Sequence, residues 1–225
     1  MNAQQLTMTV DASTRVSGLF LAPEKPTACF VFAHGAGAGM NHPSMAVVAE
    51  DLAGLGIATL RFQFPYMERG SKRTDAPQVC HATVRAAVAQ ARQLAPRVPL
   101  IAGGRSFGGR MTSQAQAAEP LPEVRGLVFL AFPLHPPKKP SDERAAHLDD
   151  VRIPMLFLQG TRDELAQMEL LQPVIERLGQ RTTLVLARDA DHSFHVPARI
   201  GRKDVDVRRE LLQSVLDWVK NLVDG

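Results

Sequence analysis

The sequence predicts an α/β fold, a three-layer sandwich in which a mostly parallel sheet lies between helices on both faces. Two observations carry this prediction. Short, nearly continuous apolar runs bounded by glycine or proline recur along the chain, as is typical of strands buried on both faces of a parallel sheet. Amphipathic helical patterns separate the runs, so strand and helix alternate about five times, which favours a layered architecture.

The apolar runs place the strands in chain order. Residues 6–23 predict two early strands in an antiparallel hairpin. Apolar residues share one helix face within 79–91 and again within 207–222, and Gly56 is a candidate helix C-cap. The six buried strands are predicted at 27–33, 57–65, 99–104, 125–133, 153–160 and 182–187.

Length and composition restrict the classes of protein. The 225 residues suffice for one domain with a sizeable core, and we expect residues 1–225 to form a single domain. The formal net charge of +3 is spread along the chain without a basic stripe, so no nucleic-acid partner is expected. The polar N-terminus does not resemble a signal peptide, and no apolar run approaches the ~20 residues that span a bilayer. We therefore expect a cytoplasmic protein without a membrane partner.

A serine in a glycine-rich turn is the first candidate for chemistry. Residues 104–108 match G-x-S-x-G, directly after a predicted strand and before a helical pattern. A serine on so sharp a turn has a strained backbone, and Gly104 and Gly108 remove side chains that would collide with neighbouring elements. The pattern predicts a nucleophile elbow with Ser106 as the nucleophile.

A serine hydroxyl needs a base, and two further strand ends supply candidates for the rest of a triad. Asp163 follows the strand at 153–160 and is the candidate acid, and His192 follows the last strand and is the candidate base. The order serine, acid, histidine is one in which such triads occur. The competitors are His195 for the base and Glu164 and Asp191 for the acid, all three also interpretable as surface residues.

The loop at 34–45 is rich in small residues and is a candidate oxyanion loop. Acyl transfer needs backbone N–H donors where negative charge develops. We assign one donor to the N–H of Phe107 and the second to that of Ala36, with Gly37 as the alternative.

A dinucleotide-binding turn is the rival interpretation of this loop. Its glycines follow G-x-G-x-G, with Met40 where the third glycine of the nucleotide fingerprint belongs, and the next strand carries Arg61 instead of an acidic residue. The two cysteines, Cys29 and Cys80, have no metal or redox spacing. Neither a cofactor nor a metal is therefore expected.

Six blocks in order resemble the α/β-hydrolase superfamily, over about residues 15–222. They are FAHGAGAGMNHPSM, RFQFPYMERG, GGRSFGGRM, AFPLHPPKKP, LQGTRDELA and DADHSFHVP. The chain is most similar to the small, lidless bacterial serine hydrolases of the dienelactone-hydrolase-like and testis-expressed-protein-30-like groups. The resemblance implies a triad of Ser106, Asp163 and His192 and a backbone oxyanion hole. Dienelactone hydrolases proper carry a cysteine nucleophile, so the serine here argues against a dienelactone substrate.

The sequence thus predicts a serine hydrolase without a large cap that cleaves a small-molecule carboxylic ester or thioester through an acyl-enzyme. The alternative is a non-catalytic interaction module that keeps the fold. The oligomeric state is not specified. Five basic residues beside the loops are interpretable either as contacts for an anionic acyl group or as surface charges. They are Arg61, Arg105, Arg110, Lys138 and Lys139.

Overall fold

A computed structural model describes residues 2–224, with side chains through residue 222. Within this range eight strands form one sheet in the order β1-β2-β4-β3-β5-β6-β7-β8. The strands are β1 Gln4–Thr9, β2 Arg15–Leu21, β3 Ala28–Ala33, β4 Ile57–Phe62, β5 Leu100–Arg105, β6 Val124–Leu130, β7 Met155–Gly160 and β8 Thr182–Ala187. The helices are α1 Pro43–Gly54, α2 Pro65–Glu68, α3 Pro77–Leu94, α4 Phe107–Ala118, α5 Met168–Leu178 and α6 Asp204–Asp224, and a 3₁₀ helix covers Glu143–Asp150.

The sheet is mostly parallel, as the sequence predicts. Strands β3 to β8 pair in parallel, while β1 pairs with β2 and β2 with β4 in antiparallel fashion. The predicted hairpin in residues 6–23 is therefore confirmed, and so is the α/β sandwich.

Helices cover both faces of this sheet and create two cores. In β3, Val31 faces the core formed with α3, α4 and α5, while Phe30 and Phe32 face the core formed with α1 and α6. All six residues of β3 are buried. A strand covered on both faces has no solvent side, which explains why the apolar runs are continuous and not alternating.

The predicted strand at 125–133 is too long. Strand β6 ends at Leu130, because Ala131 adopts a left-handed backbone with φ of 58°. The Ala131 N–H still donates to the Leu158 carbonyl at 2.9 Å. The Phe132 N–H instead donates to the side-chain oxygen of Gln159 in β7 at 3.0 Å. Hydrophobicity does not signal this turn, since the residues on both sides of it are buried.

Parallel pairing brings the loops that follow β3, β5, β7 and β8 to one edge of the sheet. Between β6 and β7 lie residues 131–154, whose 3₁₀ helix packs on α4 through the buried Ala145 and Leu148. No helix in the described range is long and apolar enough to cross a membrane.

Candidate active site

Ser106 occupies a strained turn between β5 and α4. Its φ of 48° and ψ of −115° place a residue with a side chain in a region that favours glycine. The Ser106 N–H donates to the Leu130 carbonyl of the neighbouring strand at 2.9 Å, which fixes this conformation from one side.

Close backbone packing explains the glycines around the serine. A Cβ on Gly104 would overlap the carbonyl oxygen of Ala33, and one on Gly108 would lie 2.5 Å from the carbonyl oxygen of His34. Both contacts are to backbone atoms at the end of β3, which cannot move aside as a flexible side chain would. Gly103, which the sequence analysis did not single out, has a φ of 146° and leaves no room for a Cβ against β6.

The three residues of the predicted triad form one hydrogen-bonded chain. The Ser106 hydroxyl donates to Nε2 of His192 with an Oγ–N distance of 2.9 Å, and Nδ1 of His192 donates to Oδ2 of Asp163 at 2.7 Å. The carboxylate thereby selects the tautomer whose Nε2 lone pair points at the serine. The His192 side chain is 25% exposed and the Asp163 side chain is fully buried.

Buried donors stabilise the Asp163 carboxylate. Besides the imidazole, Oδ2 accepts a hydrogen bond from Nε2 of Gln159 at 2.5 Å, and Oδ1 accepts one from the Leu165 N–H at 2.8 Å. A buried charge is costly unless it is hydrogen-bonded, and these donors meet that requirement. Sequence analysis missed Gln159, although a lone polar residue in the apolar run 153–160 was a usable signal.

The competing acids and base are placed elsewhere. The His195 side chain is 62% exposed and bonds Asp204 at 2.8 Å, which raises its pKa. Asp191 accepts hydrogen bonds from the N–H groups of Ser193 and His195 and so stabilises its own turn. Glu164 is exposed.

The two predicted oxyanion donors lie in different segments, Phe107 directly after Ser106 and Ala36 in the loop that follows β3. Phe107 is the first residue of α4, and neither its N–H nor that of Ala36 donates to any group of residues 2–224. The Tyr66 hydroxyl donates to the Ala36 carbonyl at 3.0 Å, and the Tyr66 ring packs edge-on against the Phe107 ring at 6.2 Å. Tyr66 therefore contacts both Ala36 and Phe107.

A buried histidine, missed by sequence analysis, holds the start of the 34–45 loop. Nδ1 of His34 donates to the Gly35 carbonyl at 2.7 Å, and Nε2 accepts from the Phe64 N–H at 3.0 Å. Burial lowers the pKa of His34 to about 4. The imidazole is therefore neutral near pH 7 and links this loop to the segment after β4.

The far part of the same loop is held at Met40. Nη1 of Arg61 donates to the Met40 carbonyl at 3.1 Å, and Oε1 of Gln63 accepts from the Met40 N–H at 2.9 Å. Arg61 is only 4% exposed, so its guanidinium binds the backbone of the protein. Of the other basic candidates, Arg105 bonds the His192 carbonyl at 3.5 Å, and both lysines are exposed.

A groove of about 560 Å³ lies beside the histidine. Arg162, Glu164, Asp191 and His192 are among its lining residues. Across the described part of the chain, no cluster of three or more His, Cys, Asp or Glu side chains is arranged to hold a metal ion.

Comparison with known proteins gives consistent results. A family model described as an alpha/beta hydrolase domain matches residues 26–220. A lidless α/β serine hydrolase from Xanthomonas campestris is 25% identical, with a TM-score of 0.76 over 97% of this chain and 95% of that chain. A dienelactone hydrolase from Anabaena variabilis is 21% identical (TM-score 0.77; 98% and 99% covered). An α-β serine hydrolase homologue from Coxiella burnetii is 19% identical (TM-score 0.75; 95% and 98% covered).

We predict that Gly108→Ala destabilises the protein by about 1–3 kcal/mol, because the new methyl group would push the end of β3 away from α4. The matched control is Gly54→Ala, since a Cβ on Gly54 meets nothing within 4 Å. That variant should gain about 0.5–1 kcal/mol. Urea unfolding measures both, and equal stabilities of the two variants would show that the turn is not tightly packed.

We also predict that stability falls as the pH is lowered from 6.5 to 4, in part through His34. Histidine in an unfolded chain has a pKa of about 6.5, above the folded value of about 4 for His34. Between these values the unfolded state binds more protons, so acid favours unfolding, by about 3 kcal/mol in total for this group.

The test compares the pH dependence of the free energy of unfolding in wild type and in His34→Asn, whose amide accepts a hydrogen bond but does not titrate. The dependence should be shallower in the variant. His195→Asn is the control and should keep the wild-type fall below pH 6.5, because a raised pKa changes the stability above that pH and contributes a nearly constant amount below it. Parallel curves for wild type and His34→Asn would contradict the assignment of a neutral, buried imidazole.

Proposed function

The chain belongs to the alpha/beta hydrolase domain family, and from that premise we propose that it is a serine hydrolase acting on a carboxylic ester or thioester of modest size. One observation carries the proposal: the unbroken hydrogen-bonded chain from the Ser106 hydroxyl through His192 to the buried carboxylate of Asp163. Each member follows a different strand, so their meeting is a property of the folded chain and not of a local motif.

The proposed reaction follows from the geometry. Ser106 Oγ attacks the substrate carbonyl while Nε2 of His192 takes its proton, and Asp163 stabilises the imidazolium that forms. The N–H groups of Phe107 and Ala36 stabilise the oxyanion. His192 then protonates the leaving group, and water releases the acyl group from Ser106 by the same steps.

The absence of a large cap supports a small substrate. Residues 131–154, where a cap would be inserted, hold a short 3₁₀ helix packed on α4. We propose that residues 1–225 work as a single domain. The structurally similar Xanthomonas protein is described as lacking a lid. The proposed substrate is therefore a small molecule that reaches Ser106 from an open cleft.

We predict that Ser106→Ala lowers esterase turnover by about 10⁴–10⁶-fold while the fold is retained. A fluorophosphonate probe should label wild type and fail to label this variant. Ser193→Ala is the matched control, because that exposed serine lies next to His192 but its hydroxyl contacts none of the proposed reacting groups. Wild type that neither hydrolyses p-nitrophenyl esters nor reacts with the probe would favour a non-catalytic interaction module.

We further predict that His192→Ala abolishes most activity and that His195→Ala does not. Of these two histidines, His192 bonds the Ser106 hydroxyl, whereas His195 bonds Asp204 on the surface. In wild type, kcat/KM should fall as the pH is lowered, because only a neutral imidazole accepts the serine proton. Steady-state kinetics of wild type and of both variants measure these activities and the pH dependence. A fully active His192→Ala would show that His192 is not the base.

A further inference from the structure

Arg110 lies one turn into α4, and its side chain forms no hydrogen bond or ion pair with the described residues. Its Cζ lies 5.7 Å from the ring centroid of Phe107, the proposed oxyanion donor. Its Nε is buried and has no hydrogen-bond partner in the described structure. Because Cα–Cβ bonds in a helix tilt toward the N-terminus, this side chain points back toward the turn that carries Ser106. A buried, unpaired guanidinium N–H is costly. The Nε of Arg61 is in the same state, but Arg61 binds the Met40 carbonyl through Nη1, whereas the Arg110 guanidinium packs on Phe107.

A second arginine shares this environment. Burial and then the charge of Arg144, on the 3₁₀ helix, lower the pKa of Arg110, and burial lowers that of Arg144. Neither arginine takes part in an ion pair formed by the described side chains. Two neighbouring cations without a carboxylate repel each other, most strongly where water is partly excluded.

The other groups nearby do not neutralise these charges. His147 bonds the Ser113 hydroxyl at 2.7 Å, and burial and then the Arg110 charge lower its pKa to about 4. The charge of Asp150 acts against these two effects and raises the pKa of His147.

Two carboxylates of this region already have partners, and Glu143 and Asp150, on the 3₁₀ helix itself, pair with neither arginine among the described side chains. Asp75 pairs with Arg69 at 2.5 Å, and Asp149 pairs with Arg177 at 3.0 Å. The surface formed by Arg110 and Arg144 thus carries two guanidinium groups without an ion-pair partner among the described side chains.

The proposed reaction determines which part of the substrate meets this surface. His192 must lie beside the leaving group in order to protonate it, and the 560 Å³ groove lies on that side. Helix α4 and the 3₁₀ helix pack on the opposite face of the sheet from α6, which follows the histidine loop. This arrangement leaves the side of Ser106 toward Arg110 for the acyl group.

We propose that Arg110 and Arg144 bind a carboxylate on the acyl group, so that the substrates are half-esters or half-thioesters of short dicarboxylic acids. The inference rests on the proposed hydrolase function. A planar guanidinium matches a carboxylate with two parallel hydrogen bonds, and packing on Phe107 orients the plane of Arg110. The bound anion would supply the acceptors that both side chains lack in the protein.

The test compares kcat/KM for p-nitrophenyl hemisuccinate and hemiglutarate with that for p-nitrophenyl butyrate and valerate, which match them in carbon number. Wild type should prefer the anionic ester of each pair by about 10–100-fold, the range for a hydrogen bond to a charged group. Arg110→Met should lose this preference, measured as the ratio of the two kcat/KM values within each pair, and Arg110→Lys should retain part of it. Arg144→Met should lower the same preference.

Arg209→Gln is the control for net charge, since this arginine is 76% exposed on α6, and it should leave the preference unchanged. A wild type without preference for the anionic esters, or a preference that survives Arg110→Met, would overturn the proposal.

If no ester is turned over, the hydrolase proposal fails by itself, and calorimetric titration of glutarate then tests the subsite. Binding to wild type but not to Arg110→Met supports it, and no binding to wild type overturns it.

Discussion

The left-handed backbone of Ser106 depends on how closely β5 packs between β3 and β6. Its N–H is bonded to the end of β6, and the glycines on either side let the end of β3 approach to within contact of the turn. A side chain at these positions would push the strands apart and relax the turn. The same approach brings the start of the loop that follows β3, at His34, against the first turn of α4. The strain at Ser106 and the contact of this loop with α4 therefore have one origin in the spacing of three strands.

A buried polar chain continues from this turn across the edge of the sheet. It runs from Ser106 through His192 and Asp163 to Gln159, whose other amide atom accepts the Phe132 N–H just after β6. The ends of β5, β6, β7 and β8 are thereby connected by hydrogen bonds in a region of low exposure. In such surroundings each hydrogen bond is strong and each missing partner is costly, which favours a single arrangement of the chain.

The strands and the three candidate triad residues were predictable because their signals are local. Continuous apolar runs mark strands buried on both faces, and Ser106, Asp163 and His192 each stand shortly after such a run. His34, Gln159 and the arginine on the 3₁₀ helix were not identified, since their contacts join elements distant in the chain and depend on side-chain direction. The end of β6 was misplaced because a turn at Ala131 stays buried and leaves no hydrophobic signal.

The separation between the strained turn and the segment at 131–154 bears on how such a protein changes in evolution. The turn tolerates few substitutions, because nearly every neighbour of it is backbone. The 3₁₀ helix instead meets α4 through buried apolar side chains and the hydrogen bond between His147 and Ser113, so its outward residues are not part of that contact. Exchange of these outward residues would alter the surface beside the turn while the turn stays in place, which offers relatives of this protein a route of divergence.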